Sequence, residues 1–136
     1  MKITTQVEYS LRCLVYLAQC DDGPISVSRI AKREELSRDY VEQLLIRMRR
    51  AGLVKSTRGA RGGYALAKKP SEIRATEVFS AVSDGPFNDP CARHEKSCHR
   101  SQECCGIAQM WADLESQIES CLDGWTIETL ARLTHE

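Results

Sequence analysis

The sequence predicts a mainly α-helical fold that contains one small β-hairpin. Apolar residues recur at three- and four-residue steps along most of the 136 residues. Two short helical segments with a tight turn between them are followed by two short strands around a glycine-rich tip. A longer apolar seam at helical spacing lies near the carboxyl end. This order is that of a winged helix-turn-helix domain followed by a long carboxy-terminal dimerisation helix.

The first three predicted helices each combine an apolar stripe with a recognisable end. The first helix ends at the Asp-Asp-Gly-Pro turn of residues 21–24, and Ser26 caps a short second helix that runs to Lys32. Ser37 caps a longer third helix, which Gly52 ends. The inward residues of the first helix are Val7, Leu11, Leu14, Val15 and Ala18, and those of the third are Val41, Leu44, Leu45 and Met48.

The second half of the chain begins with the hairpin. Residues 53–57 and 64–67 are predicted strands, and a polar connector then leads to a short helix over residues 76–83. Residues 88–105 have no apolar period and contain Cys, His and charged residues together, so a bound ligand or metal is needed to order them. The seam that follows consists of Ile107, Trp111, Leu114, Ile118 and Cys121, at steps of 4, 3, 4 and 3 residues. A final helix covers residues 126–133.

The charge of the chain is divided between its halves. The 19 basic and 19 acidic residues cancel overall. Residues 1–75 contain 5 Lys and 10 Arg against 3 Asp and 5 Glu, a net charge of +7, whereas residues 76–136 carry −7. A strongly basic half indicates an anionic partner, above all nucleic acid.

The outward residues of the third helix and of the hairpin tip suit a double-stranded DNA operator. Arg pairs with guanine, Gln with adenine and Glu with cytosine. Gly59, Gly62 and Gly63 permit positive φ and close backbone approach, so that the tip arginines project toward a minor groove. The predicted DNA-contacting residues are Arg38, Tyr40, Glu42, Gln43, Arg49, Arg58 and Arg61, with Arg47 and Arg50 also directed at phosphates. The alternative is a helical adaptor, which nine basic residues between Lys32 and Arg61 disfavour.

Size and hydropathy exclude two classes of protein. A chain of 15.3 kDa is too small for a large multidomain enzyme, and no apolar run approaches the ~18 residues that cross a bilayer. Glu8 and Arg12 interrupt the stretch that a secretory signal would keep apolar. We therefore expect a cytoplasmic protein that does not enter a membrane.

Seven cysteines in a reducing compartment indicate metal binding or redox chemistry. Cys91, Cys98 and Cys104 lie in one loop with six and five residues between them, and three thiolates on one loop can surround an inorganic core. Structural zinc sites have shorter gaps, so an iron-sulfur cluster is preferred to zinc, and free thiols or a disulfide switch are a third possibility. The cysteines expected in the core are Cys13, Cys20 and Cys121.

Three segments carry a resemblance to a known family: LSRDYVEQL at 36–44, GLV at 52–54 and RGARGGY at 58–64. They resemble the IscR/NsrR/RirA family of bacterial iron-sulfur transcription regulators, and the resemblance extends from the MKIT of residues 1–4 to the carboxy-terminal helix. It implies a homodimer. Matched residue for residue, it also implies that Glu42 and Gln43 help to read bases and that Arg58 enters the minor groove, whereas Arg61 is argued only from its place at the tip.

For the cysteine loop, the resemblance implies a cluster held by Cys91, Cys98 and Cys104. The assembly regulators have a histidine three residues after the third cysteine, where this chain has Ile107. The nitric-oxide-sensing branch completes its site with a carboxylate from the first helix of the partner subunit, and Glu8 stands at that position. We therefore favour Glu8 as the fourth ligand and a [4Fe-4S] over a [2Fe-2S] cluster. The other candidates for the fourth ligand are His94, His99 and Cys105.

These features together predict a homodimeric repressor whose iron-sulfur cluster senses iron, redox state or nitric oxide and alters operator affinity. Residues 1–75 would form the winged helix-turn-helix, and residues 76–136 would form the cluster loop, at about 88–105, and the dimerisation helices. No catalytic residue is predicted. The two alternatives are a DNA-binding regulator switched by cysteine oxidation without a cluster, and an iron-sulfur redox protein that does not act on DNA.

Overall fold

The computed structural model of the chain describes residues 3–83, 85, 87 and 105–135. Within these residues the chain forms six α-helices and one two-stranded antiparallel sheet. The helices are α1 (Thr5–Gln19), α2 (Val27–Glu34), α3 (Arg38–Arg50), α4 (Ala75–Val82), α5 (Gly106–Asp123) and α6 (Ile127–Leu133). The strands are β1 (Val54–Thr57) and β2 (Gly63–Leu66), and a 3-10 turn at Pro70–Glu72 precedes α4. The prediction of a mainly α fold with one small hairpin is confirmed.

Serine caps fix the starts of α2 and α3. The Ser26 hydroxyl accepts a hydrogen bond from the Arg29 amide at 3.2 Å, and the Ser37 hydroxyl accepts one from the Tyr40 amide at 3.3 Å. Each cap satisfies an amide that a helix leaves unpaired at its start. Glu35 adopts a left-handed φ of 58° directly after α2, which therefore ends two residues beyond the predicted Lys32. The result is the tight turn of a helix-turn-helix.

One hydrophobic core joins the amino-terminal and carboxy-terminal parts of the described chain. α1 packs on α2, α3, α4, β2 and α6. The fully buried residues include Leu14 of α1, Leu45 of α3 and Ile127 of α6. The Ile127 amide also donates to the Ile73 carbonyl at 2.9 Å. The described parts of residues 1–75 and 76–136 thus share one core, and the division of the chain at residue 75 stays a prediction.

The hairpin is fixed to the core by its second strand. β1 and β2 pair from Val54 opposite Leu66 to Thr57 opposite Gly63. Beyond the hairpin, Tyr64 exchanges two backbone hydrogen bonds with Ile25, at 2.9 and 2.8 Å, so that the chain before α2 acts as a third strand at this point. A Cβ at Gly63 would lie 2.1 Å from the Ile25 carbonyl oxygen. Glycine is therefore required for this close approach.

α5 differs from the other long helices because none of its 18 residues is buried. It is attached at both ends. The Phe87 and Trp111 rings lie 6.2 Å apart near its start, and at its end the Thr76 hydroxyl donates to the Asp123 carboxylate at 2.5 Å. Its predicted apolar seam is half-buried or exposed. No helix among the described residues is long and apolar enough to span a bilayer.

Candidate nucleic-acid interface

α3 presents a polar face to solvent because its apolar face is anchored in the core. Its buried side chains are Val41, Leu44, Leu45 and Met48, as predicted. Arg38, Glu42 and Gln43 are exposed in the first two turns. A helix that follows a tight turn and leaves such residues free at its amino-terminal end has the arrangement of a recognition helix.

Tyr40 has a more internal position than the other predicted base-contacting residues. It is half-buried, and its ring meets the Tyr9 ring edge to face, with the centroids 6.0 Å apart. The Arg12 guanidinium lies 5.3 Å from the centre of the same Tyr9 ring. Tyr40 thus helps to hold α3 on α1, and its contact with DNA stays a prediction.

The three arginines in the last turns of α3 have different surroundings. Arg49 donates to the Ser56 hydroxyl of β1 at 3.3 Å, which places its guanidinium between the helix and the hairpin. Arg47 donates instead to the Gln6 side chain at 3.1 Å and to the Val82 carbonyl at 3.3 Å. Arg50 is exposed. All three side chains are exposed, and their contact with phosphates stays a prediction.

The hairpin tip exposes Arg58 and Arg61. Gly59 has a φ of 110°, a conformation that favours glycine, as the sequence predicts. Gly62 does not have a positive φ, but it shows the close backbone approach that the sequence also predicts. That residue is glycine because a Cβ would lie 2.3 Å from the Thr57 carbonyl oxygen. The tip is therefore built to fold back tightly, and both arginines project from it.

Few carboxylates balance the charge of this surface. The salt bridges of the described residues include Arg12 to Glu34, Arg29 to Asp22 and Lys68 to Glu77. Arg38, Arg49, Arg50, Arg58 and Arg61 belong to none of the ion pairs found in residues 3–83, 85, 87 and 105–135. Arginines without carboxylate partners are available to a polyanion.

The predicted metal ligands are only partly described. Cys91, Cys98 and Cys104, together with His94 and His99, lie outside the described residues. Glu8 is exposed in the first turn of α1. It lines a groove of about 480 Å³ between α1, α2 and α6. Cys105 is buried at the start of α5.

The described cysteines do not form a second candidate site. Burial raises the pKa of Cys13 to about 12, so this thiol stays protonated and is a poor ligand. Cys20 follows α1 at the end opposite to Glu8, about 18 Å away along a helix that rises 1.5 Å per residue. Cys121 is exposed, and the prediction that it lies in the core is wrong. No group of three possible ligands comes together among the described residues.

Two contacts of this region escaped the sequence reasoning. The Arg12 guanidinium binds the Glu34 carboxylate at 2.7 Å, which ties α1 to α2 near Glu8. The other is the Arg47 contact with Gln6 and Val82. Their partners lie between 22 and 41 residues apart, and no periodic pattern marks such a separation.

Comparisons with known proteins agree with this arrangement. A family model described as Rrf2, iron-dependent transcriptional regulator, matches residues 3–133. The chain is 37% identical over 131 residues to the HTH-type transcriptional regulator IscR of Aliivibrio salmonicida. The aligned region covers 96% of this chain and 77% of the relative. The chain is also 36% identical over 136 residues to the HTH-type transcriptional regulator CymR of Bacillus subtilis. This alignment covers 98% of this chain and 92% of the relative.

The similar solved structures are of regulators that carry the same two names, CymR and IscR. The structure of CymR, the global cysteine regulator of B. subtilis, superposes with a TM-score of 0.76 at 32% identity and covers 99% of both chains. The structure of T. potens IscR has a TM-score of 0.73 at 29% identity and covers 100% of this chain and 93% of the other. An oxidised form of Staphylococcus aureus CymR has a TM-score of 0.74 at 30% identity, with full coverage of both chains.

Proposed function

We propose that this chain, which belongs to the Rrf2 family of transcriptional regulators, represses its target genes as a homodimer on a double-stranded DNA operator. The family gives the coarser statement directly: the chain is a DNA-binding winged-helix regulator and not an enzyme. The observation that carries the proposal is the pairing of an exposed α3 face with an arginine-bearing hairpin tip. Both α3 and the hairpin pack on the same hydrophobic core.

The roles of the DNA-contacting residues follow from where they lie. Arg38, Glu42 and Gln43 are in the turns of α3 that reach base edges in a major groove. Arg49 and Arg50 contact phosphates. Arg58 and Arg61 enter a minor groove, whose negative potential attracts arginine. Tyr40 holds α3 against Tyr9 of α1 and touches DNA only at its exposed edge.

The exposed seam of α5 supports the homodimer. Ile107 and Leu114 are 54% and 39% exposed, and Trp111 and Ile118 lie on the same side of the helix. Burying four such side chains stabilises an interface by ~1.5 to 3 kcal/mol each, before association entropy is subtracted. The two copies of α3 in such a dimer would read half-sites spaced about one helical turn, ~34 Å.

For the sensing site, we propose that Cys91, Cys98 and Cys104 of one subunit and Glu8 of the partner subunit hold an iron-sulfur cluster, [4Fe-4S] rather than [2Fe-2S]. The donor set fits such a group: Glu8 is exposed at the start of α1, and the protonated thiol of Cys13 is excluded. When bound, the cluster supplies a centre that reacts with oxidants or nitric oxide and responds to iron supply. Glu8 would hold the cluster from α1, which the Arg12–Glu34 salt bridge connects to α2.

A second candidate function is a DNA-binding regulator switched by cysteine oxidation without a cluster. The similarity to CymR favours it, because that relative matches over 98% of this chain and is described as a cysteine regulator. Cys13 is not a candidate for the oxidised residue, since burial raises its pKa and keeps the thiol unreactive.

Anaerobic purification separates the two candidates. The proposal predicts a brown protein with iron and acid-labile sulfide in stoichiometric amounts, and operator affinity that changes when the cluster is removed. Iron content is expected to fall in Cys91→Ala, Cys98→Ala and Cys104→Ala but not in Cys13→Ala or Cys20→Ala, with Cys105→Ala as the informative control. A colourless, iron-free protein whose operator affinity responds to peroxide would contradict the cluster and support the thiol switch.

A further inference from the structure

Arg47 differs from its neighbours on α3 in what it contacts. Its Nη1 atom donates to the Gln6 side-chain oxygen at 3.1 Å and to the Val82 backbone oxygen at 3.3 Å. Arg49, by contrast, reaches Ser56 of the hairpin. One guanidinium therefore joins the recognition helix to the first turn of α1 and to the end of α4.

The two acceptors adjoin the two segments that carry the proposed cluster ligands. Gln6 lies two positions before Glu8, in the same turn of α1. Val82 is the last residue of α4, and the chain that follows it leads to Cys91, the first of the three proposed thiolate ligands. Arg47 thus contacts the two described segments, the first turn of α1 and the end of α4, that adjoin the proposed ligands in the sequence.

The Arg47 hydrogen bonds restrict the orientation of α3 because, unlike its apolar contacts, they are directional. Hydrophobic packing is not directional, so the burial of Val41, Leu44 and Met48 does not by itself select one orientation of α3. A hydrogen bond weakens steeply with distance and angle. The Val82 carbonyl also lies at a helix end, where the partial negative charge favours a cation. Arg47 therefore fixes where the outer edge of α3 lies relative to α1 and α4.

We propose that Arg47 is a positioning residue that couples the proposed cluster site to the orientation of α3. The inference rests on the proposed function. When Glu8 and the chain beyond Val82 are held by ligation, Arg47 holds α3 in one position. When they are released, the Gln6 and Val82 acceptors move, and the position of α3 within the dimer changes with them.

The test compares operator dissociation constants of the anaerobic cluster-loaded and cluster-free proteins. For the wild type we expect the two constants to differ about 5- to 150-fold, the usual range for coupled sites. In Arg47→Ala the ratio is expected to fall to within about threefold of one. Arg50→Ala removes the same charge from the same helix end, so it is expected to weaken both forms equally and to leave the ratio unchanged.

Two further measurements separate coupling from charge. Gln6→Leu keeps every basic residue and removes one acceptor, so the ratio is expected to fall in the same direction by a smaller factor. Hydrogen exchange on the cluster-free protein gives a readout that needs no cluster. Arg47→Ala is expected to speed exchange in the first turn of α1 and the last turn of α4, whereas Arg50→Ala is not.

The outcomes distinguish this inference from the proposed function. If Arg47→Ala weakens both forms equally and keeps the wild-type ratio, Arg47 is a phosphate contact, and the inference fails while the proposed function stands. Exchange rates that match those of Arg50→Ala also overturn the inference alone. A wild-type ratio of one overturns the proposed function and the inference together.

Discussion

α3 and α5 differ in how far the protein chain buries their apolar side chains. α3 buries Val41, Leu44, Leu45 and Met48 within its own chain, whereas α5 has no buried residue although it is 18 residues long. Ile107 and Met110 of α5 are 54% and 53% exposed. An apolar stripe exposed along a long helix marks an interaction surface. We infer that a single chain buries the apolar side of its DNA-binding region. The apolar side of α5, by contrast, is covered only when a second copy of the chain packs against it.

The largest expected effect comes from placing a charge in the α5 seam. Leu114→Glu introduces an unpaired carboxylate into each half of the proposed dimer interface, and an unpaired buried charge costs more than the ~2 kcal/mol gained from a buried leucine. Sedimentation at micromolar concentration is expected to give a monomer, where the wild type gives a dimer. Ser116→Glu adds the same charge on the opposite side of the helix and should stay dimeric. If both Leu114→Glu and Ser116→Glu were dimeric, the proposal that the α5 seam forms the dimer interface would be contradicted.

A substitution at Gly63 tests whether contacts within one chain fix the hairpin of the DNA-binding region. An alanine there would bring a Cβ to 2.1 Å from the Ile25 carbonyl, at a φ of 155°. Backbone strain and overpacking each cost about 1–3 kcal/mol, so we expect the free energy of unfolding in urea to fall by at least about 2 kcal/mol. Gly59→Ala has a similar φ penalty but open space around it and should cost about 1 kcal/mol. Equal losses would show that the Ile25–Tyr64 contact does not fix the hairpin.

Two arginine variants separate the hairpin tip from the recognition helix. Arg58→Ala is expected to weaken specific operator binding by ~1 to 3 kcal/mol with no change in melting temperature. Arg49→Ala should weaken binding to all DNA nearly equally and reduce the salt slope by about one unit, because it loses a phosphate contact. Fluorescence anisotropy at several salt concentrations measures both. Unchanged operator affinity in Arg58→Ala would mean that the tip does not enter the DNA.

The smallest expected effect is the pH dependence that Cys13 confers on the core. Burial raises the pKa of its thiol from an ordinary value to about 12, so the folded chain keeps a proton that the unfolded chain loses. The stability associated with the neutral thiol is fully present below the unfolded pKa and declines as the pH rises toward 12. Between pH 8 and 9.5 the wild type should lose about 1 kcal/mol more than Cys13→Ala. Identical pH profiles would contradict a buried thiol.

Local patterns in the sequence predicted most of the fold. Ser26 and Ser37 cap their helices through bonds to amides three residues away, and such short-range signals can be read directly. The buried residues of α3 followed from helical periodicity. At Gly62 the sequence indicated a close backbone approach, but not that the neighbouring group is the Thr57 carbonyl. That crowding depends on how the tip folds back.

The candidate site was less predictable because it depends on long-range contacts and, in the proposed function, on a second subunit. The Arg47 bonds join residues 41 and 35 positions apart, and nothing in the sequence relates them. Cys121 was expected in the core because it continues an apolar seam. A seam shows that a helix has an apolar side, but it does not tell which chain covers it. The roles of Cys91, Cys98 and Cys104 stay predictions from spacing and resemblance.

The sharing of one cluster between two subunits is tested most directly by complementation. Neither the Glu8→Ala homodimer nor the Cys98→Ala homodimer should bind iron after anaerobic reconstitution. A heterodimer of these two variants, isolated with two different affinity tags, contains one intact site, made of the cysteines of the Glu8→Ala subunit and Glu8 of the partner subunit. We predict that this heterodimer binds half of the wild-type iron. An iron-free heterodimer would contradict a site built from two subunits, and so would full occupancy in the Glu8→Ala homodimer.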